Sequence, residues 1–406
     1  MERPERVLFI NTICGTGSTG RLVTGLMDSL ETRGIDSMCA YGRWEAPEKY
    51  KSYRVGNNVD VIVHGVLSRV TDRHALYSNA ATRKLIDEIK KYDPDIIHLH
   101  NVHGYYLNFK ILFNYLKSCG KRIVWTLHDC WTFTGHCSHY EYIGCDKWLE
   151  GCSHCPQKDQ YPKTMLLDAS KSNYELKKKM FTGIENLTIV TPSKWLAGEV
   201  GKSFLKEYPV VVVPTGINLN RFRPVESDIR DQYEIGTRKL ILGIANPWRE
   251  RKGYNDFIKL AEMLDDDYRI VMIGLKKNQL GALPDNIIGL EKTDSIEDIV
   301  KWYTAADVYV NLTYEDTFPT TNIESMACGT PVITYRAGGS PESVNSRTGA
   351  IVEKNDLAAV RKAIDDVTDR NDQRVREFCL GKAKDYSAAK RYEEYMTKVY
   401  GLKRVY

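Results

Sequence analysis

The stretch DVYVNLTYEDTFPTTNIESMACGTPVIT, Asp307 to Thr334, decides the fold. It opens on an apolar run of buried-strand type and passes through a turn at Tyr314–Pro319. A helix begins near Thr320 and stops at Gly329, and a second strand restarts behind Pro331. A strand that hands directly to a helix and then to another apolar strand is the repeating unit of a parallel sheet covered on both faces. The same pattern runs outward in both directions. VLFI (7–10) leads into the Gly-rich turn Gly15–Gly20 and a helix with Leu22, Leu26 and Leu30 on one face. DIIHLH (95–100), RIVWTLHD (122–129), LTIVTPS (187–193) and VVVVP (210–214) follow as strands, with a helix predicted over Leu107–Lys117. KLILGIAN (239–246) opens a second series, which continues through YRIVMIGL, DVYVNL, PVITY and GAIVE. Turn formers crowd VPTGINLNRFRPVES between the series and predict a domain boundary near Gly216. A last helix is expected near Ala388–Tyr400.

Whole-chain properties narrow the function classes. The 406 residues carry a net charge of +4, too small for a nucleic-acid binder of this length. No run of eighteen apolar residues predicts a membrane-spanning helix, and the apolar start is too short for an export signal. The expected location is the cytoplasm. Arg69, Arg73, His74, Arg83, Lys84, Lys90 and Lys91 fall close together, with Leu76 and Tyr77 among them. They read first as a solvated basic face, and second as a group that touches an anionic membrane surface.

In tandem, two doubly wound domains are expected to bind ligand in a cleft at the carboxyl ends of their strands. The strand-to-helix turn at Asp316–Thr321 offers free backbone N–H groups and the positive helix end, which suits a diphosphate. Thr320 and Thr321 add hydroxyl donors, although threonines there also serve as plain helix caps. Glu324, one turn inside the helix, can accept bonds from the vicinal hydroxyls of a ribose. Asp316, eight positions earlier, is expected to face the sugar. A departing nucleoside diphosphate needs fixed positive charge, and WRERKG (248–253) supplies it just after the first strand of the second series. The pairs Asp93/Asp95 and Asp265/Asp267 precede strands and are poorly placed to hold magnesium there.

Other segments carry less specific signals. Gly15, Gly17 and Gly20 have dinucleotide-loop spacing, but Glu31 and Asp36 are badly placed as ribose ligands, which leaves an oxidoreductase as an outside alternative. His128-Asp129 ends a strand and is expected at the cleft, with His128 suited to hydrogen-bond or proton work near neutral pH. His98, His100 and His103 share one stretch; they are read as structural, with Asn101 and His103 lining the acceptor side. Cys137-x7-Cys145-x6-Cys152-x2-Cys155 offers four thiolates for a tetrahedral, structural zinc. Unligated thiols are the alternative, and an iron–sulfur cluster a weaker one.

On Phe318, Glu324, Ala327, Cys328, Gly329 and Pro331 the donor segment resembles the motif of the family 4 retaining glycosyltransferases. Asp316 stands where that family has a glutamate. Lys252 matches the family lysine; the family arginine aligns near Asn246, so Arg249 or Arg251 must replace it, and Arg251 is favoured. Gly338-Gly339-Ser-Pro-Glu342 is similar too. SNAATRKL and PDIIHLHNVHGYYLN resemble a subgroup that builds bacterial capsular, exopolysaccharide and colanic-acid-type glycans. The resemblance implies an α/β chain of GT-B fold, two Rossmann-like domains facing each other across a cleft. Residues 1–214 would be the acceptor-side domain, with a Cys-rich insertion at 130–160. Residues 215–386 would bind the donor, and 387–406 would form a terminal helix packing back on the first domain. The implied reaction moves a sugar, with retention, from a UDP- or GDP-sugar to a glycan acceptor, lipid-linked and met at the inner face of the membrane. No cofactor is expected for catalysis. His128 and Asp316 would lie at the transferred sugar, and Asn101, His103 and Asp129 at the acceptor. Gly17, Ser18, Gly20, Arg251, Lys252, Phe318, Thr320, Thr321 and Glu324 would hold the donor, with Asp285–Lys292 shaping the base pocket. A sugar-nucleotide 2-epimerase and an inactive nucleotide-binding scaffold are the alternatives.

Overall fold

The computed structural model describes residues 3–370 and 373–404. It divides into two compact units, Met1–Pro214 with Tyr392–Tyr406, and Thr215–Arg391. The first is built on the strands β1 (Arg6–Asn11), β2 (Asp36–Tyr41), β3 (Ser52–Arg54), β4 (Ile96–Leu99), β5 (Arg122–Thr126), β6 (Leu187–Thr191) and β7 (Val210–Val212). They form one sheet in the order β3-β2-β1-β4-β5-β6-β7, with every pairing parallel. The second unit repeats the plan with β8 (Lys239–Ile244), β9 (Tyr268–Ile273), β10 (Ile287–Leu290), β11 (Val308–Asn311), β12 (Val332–Tyr335) and β13 (Gly349–Val352). Their order is β10-β9-β8-β11-β12-β13. Strand order therefore reverses between β1 and β4, and again between β8 and β11. These are the two switch points, where loops leave the sheet in opposite directions and open a crevice.

Continuous apolar runs form these strands because both faces of each sheet are covered. Leu8 and Ile10 enter one core with Ile97 and Leu99, while Val7 and Phe9 enter another with Leu22, Leu26 and Leu30 of the helix Gly17–Glu31. The same alternation sends Leu240 and Leu242 to one core and Ile241 to the other in the second unit.

Several boundaries differ from expectation. Strand β5 ends at Thr126, so His128 and Asp129 lie on the loop just past it. The helix that follows the cysteines, Ser170–Phe181, starts where the Asp168 carboxylate accepts the Ser170 N–H. The last helix runs from Ala388 to Glu394 and then widens into a π-type turn, Tyr395–Val399. That turn sets Tyr395 and Tyr400 against β4 and β5: the Tyr400 hydroxyl meets His98 Nδ1 at 2.6 Å, and Thr126 Oγ1 meets His98 Nε2 at 2.8 Å. The chain re-enters the first unit at Tyr392, whereas Ser387 and Ala388 remain paired with Ile217 of the second.

The helix Asn58–Thr71 has its faces reversed. A capping box built by Asn57 and Asp60 starts it. Its buried side holds His64, Gly65 and Ser68, while Val59, Ile62, Val63, Val66, Leu67 and Val70 are 37–66% exposed. Those six recur at helical spacing and make one apolar stripe. Exposed Met165, Leu166 and Leu167 join it, because Met165 N–H and Leu167 N–H donate to the carbonyls of Arg69 and Val70.

Candidate active site

In the second unit the predicted donor residues gather at the β8/β11 switch point. The loop after β8 makes the short turn Glu250–Lys252 and ends at Gly253, whose φ of +80° starts the helix Tyr254–Glu262. A side chain at Gly253 would lie 2.4 Å from the Leu312 carbonyl, so glycine lets this loop press against the one after β11. Tyr314 N–H then donates to the Arg251 carbonyl at 2.9 Å. Two ion pairs join the loops: Arg251 Nη1 to Glu315 Oε1 at 3.3 Å, and Lys252 Nζ to Asp316 Oδ2 at 2.8 Å. Both side chains of the Lys252–Asp316 pair are 24% exposed. The cations are therefore held in place yet reachable.

Asp316 is tied down on three sides. Besides Lys252, its Oδ1 accepts the Phe318 N–H at 3.1 Å and its carbonyl accepts the Gly339 N–H at 2.9 Å. The neighbouring Gly338 has φ +51°, and a Cβ there would sit 2.0 Å from the Asp316 carbonyl oxygen. Asp316 thus anchors lysine and loop, with its side chain still partly exposed. Phe318 follows on the same loop. Its ring is buried against Tyr386, 5.7 Å between centroids, so it supports the loop from the core side.

Behind the loop, Thr320 opens the helix Thr320–Ala327. Thr320 Oγ1 donates to Glu324 Oε1 at 3.2 Å, and the Tyr303 hydroxyl donates to Glu324 Oε2 at 3.2 Å. Thr321 lies beside it, half-buried, within bonding reach of the Tyr309 hydroxyl. Asp285–Lys292 contains the edge strand β10, whose Leu290 carbonyl accepts the N–H groups of Gly274 and Leu275. Neither Asp-x-Asp pair reaches this region. Asp95 accepts the N–H groups of Glu5 and Arg6, and Asp265 that of Asp267, all at the amino ends of strands.

The first unit gathers its predicted residues at the β1/β4 switch point. Gly17 and Ser18 are exposed at the start of their helix, and Gly20 is buried behind them, accepting the Gly15 N–H at 3.2 Å. Two polar residues that the sequence did not single out fix this region. Buried Asn11, at the end of β1, donates to Ile13 O and Thr19 Oγ1 and accepts the Asn101 N–H. Thr12 Oγ1 donates to the carbonyls of Asn101 and His103. Their signal was position: polar residues at the carboxyl end of the first strand. Glu315, next to Asp316 in the loop, is the buried partner of Arg251.

His128 and Asp129 face different neighbours. His128 Nε2 lies 3.0 Å from His100 Nδ1 with the rings stacked, and His100 stacks in turn on His98. Burial, with the charge of nearby His103 against that of Asp129, pulls His128 down to about 4. It is therefore a neutral imidazole at neutral pH, able to donate and accept but carrying no charge. Asp129 Oδ2 lies 3.2 Å from His103 Nε2, and its Oδ1 accepts the Trp131 N–H at 2.9 Å. Burial alone would raise Asp129, but the charge and hydrogen bond of His103, the charge of His139 and the Trp131 N–H hold it at about 2. His103 Nδ1 meets the Tyr161 hydroxyl at 3.0 Å, so Asp129, His103 and Tyr161 form a chain. Cys137, Cys145, Cys152 and Cys155 are all free thiols, and all four line one small cavity beside this chain's Tyr161 segment.

The comparisons with known proteins agree with this layout. Residues 19–221 match the family described as Glycosyltransferase Family 4, and residues 225–377 match Glycosyl transferases group 1. The glycosyl transferase WcaC of Escherichia coli (strain K12), provisionally assigned to colanic acid biosynthesis, is 21% identical over 372 residues, 86% of this chain and 88% of that protein. Among solved structures, sucrose-phosphate synthase from Thermosynechococcus elongatus superposes with TM-score 0.70 at 16% identity, covering 98% of both chains. Anabaena Alr3699/HepE, solved in complex with UDP-glucose, gives TM-score 0.67 at 12% identity, covering 98% of this chain and 100% of that one. The fold is thus the two-domain GT-B arrangement of parallel-sheet units.

Proposed function

The chain belongs to glycosyltransferase family 4, and from that premise we propose that it is a retaining transferase of bacterial surface-polysaccharide assembly. It takes a sugar from a UDP- or GDP-linked donor and passes it to a glycan acceptor carried on a lipid. The observation that carries this reading is the pairing of Arg251 and Lys252 with the loop that opens the Thr320–Ala327 helix. Two held cations and a helix start at a switch point suit a diphosphate. Glu324, already bonded by Thr320 and Tyr303, presents carboxylate oxygens for a ribose. The colanic acid assignment of the Escherichia coli relative and the UDP-glucose bound by the Anabaena protein support the pathway class and the donor class.

The step balances without a protein nucleophile. The bond from the anomeric carbon to the phosphate oxygen breaks, and the acceptor oxygen joins that carbon on the same face. The departing phosphate takes the acceptor proton, while Arg251 and Lys252 offset its charge. Neutral His128 hydrogen-bonds to the transferred sugar, and Asn101, His103 and Asp129 serve the acceptor.

Thermal shift against UDP, GDP, ADP and CMP is expected to single out one nucleoside diphosphate, since a ligand bound only by the folded state raises its apparent stability. The matching nucleotide sugar should then give a product whose anomeric configuration equals that of the donor. Conversion of the nucleotide sugar to its 2-epimer without acceptor would reject the transferase. Nucleotide binding with no turnover on any acceptor would reject catalysis.

Among the described residues no helix is long and apolar enough to cross a membrane. We propose contact with the membrane face through the apolar stripe of the Asn58–Thr71 helix and Met165–Leu167, with exposed Arg69 and Lys163 at anionic headgroups. Arg83, Lys84, Lys90 and Lys91 lie on a different helix, Asn79–Tyr92. Vesicles containing anionic lipid should sediment the protein, and Ile62→Asp with Val66→Asp should leave it in solution. A wild-type chain that ignores such vesicles, or a stripe that instead holds two copies together, rejects the contact.

A further inference from the structure

Between Cys130 and Ala169 the chain forms only two short 3₁₀ turns, Trp131–Phe133 and Lys147–Leu149. A connection of this length with no strand or longer helix is uncommon in a compact domain, and something other than a backbone ladder must hold it. Its separate pieces bring Cys137, Cys145, Cys152 and Cys155 to the wall of one cavity of about 10 Å³, room for one water-sized sphere. Among the described residues, no three His, Cys, Asp or Glu side chains already stand in a metal-holding array. The four thiols are gathered at the cavity but not closed onto a point.

Two independent features bear on these sulfurs. Backbone N–H groups are aimed at sulfur: Gly135 N–H donates to Cys152 Sγ at 3.1 Å, and Gln157 N–H donates to the Cys155 sulfur. Such donors fix the orientation of the two sulfurs. Lys177 is the second feature. It is 2% exposed, and its Nζ donates to the carbonyls of Trp131 and Thr134 at 2.6 and 3.0 Å, over the Trp131 ring. Burial pulls this amine down to about 7, and anions within electrostatic reach act against that and favour its charged form. Cys152 and Cys137 are in that reach, as are Asp129 and Asp72.

We propose that Cys137, Cys145, Cys152 and Cys155 bind one zinc ion as four thiolates. Each thiol gives up its proton, side-chain rotation closes the cavity, and Lys177 offsets part of the resulting double negative charge. An all-thiolate site leaves no open coordination position, so the ion is architectural. What it fixes is the segment that carries Trp131 and Tyr161, the partners of Asp129 and His103.

The full chain, purified under reducing conditions, is expected to carry about one zinc per molecule by metal analysis. Loaded with cobalt, it should show the sulfur-to-metal charge transfer and strong visible bands of a tetrahedral thiolate site. Cys152→Ser and Cys155→Ser should lose the metal, whereas Cys155→His, which keeps a ligand, should retain it. Cys119→Ser, outside the cavity, should change nothing. If the serine variants do not fold, the metal content and cobalt spectrum of the wild-type chain decide alone. Trace metal only, with added zinc refused under reducing conditions, overturns the site. So does iron with sulfide, or a disulfide among these cysteines in the reduced preparation.

Discussion

Lys252→Ala is expected to lower kcat/KM by about 10²–10³-fold, the usual effect of removing one preorganised group that stabilises developing negative charge. In the proposed reaction the lysine offsets the charge of the leaving diphosphate from the turn that follows β8. The ground state already shows how the charge is stored. Lys252 is paired with Asp316 at 2.8 Å, and Asp316 is itself fixed by the N–H groups of Phe318 and Gly339. Holding the lysine before substrate arrives removes a reorganisation cost from the reaction. Lys252→Arg keeps the charge but not the point geometry, and should fall between wild type and alanine. Asp316→Asn should lose less than Lys252→Ala, because the lysine charge survives its loss. The measurement is steady-state kinetics with the nucleotide sugar chosen by thermal shift, alongside the melting temperature of each variant. A Lys252→Ala enzyme that folds normally and keeps kcat/KM within about threefold of wild type would remove the lysine from the diphosphate site.

Acid should destabilise the first unit well above the range where carboxylates protonate. Burial lowers His64 to about 4. Burial, with the charge of His128, lowers His98 to about 3. An unfolded histidine titrates near 6.5, so between that value and the folded values the unfolded chain binds more protons. Stability is fully present above about pH 7 and is lost as the pH falls through about 6.5 towards 4. For His64 and His98 together the loss between pH 7 and pH 5 is on the order of 4 kcal/mol. His128, lowered in the same direction but partly exposed, adds less. Asp129 works in the opposite window, since its depressed value stabilises the fold at every pH above the ordinary carboxylate range. Urea unfolding at pH 7, 6 and 5, with each unit's transition fitted separately, measures the slope. His98→Gln should flatten it in the first unit even if it lowers stability overall. An unfolding midpoint that does not move between pH 7 and pH 5 would show that these histidines take up protons without unfolding.

What was legible in the sequence was whatever depends on local order along the chain. Apolar runs spaced by helices named two parallel sheets, because only a strand covered on both faces can be apolar throughout. Turn formers after Val213 marked the boundary near Gly216, and the chain divides at Pro214. The strand-turn-helix at Asp307–Ala327 put Lys252, Thr320 and Glu324 at one sheet end, since loops at the carboxyl edge of a parallel sheet must meet. Tertiary structure decided which side chains take hold of one another there. Asp316 binds Lys252, and its neighbour Glu315 holds Arg251. Phe318 turns to the core and Tyr386. Asn11 and Thr12 tie the β1 loop to the β4 loop across some 90 residues of sequence. The apolar stripe on the Asn58–Thr71 helix reads in sequence as an ordinary buried face, and only its packing, with His64 and Ser68 inward, turns it outward. Periodicity fixes how an element is patterned, but which face meets the core is settled by the partners that long-range folding brings to it.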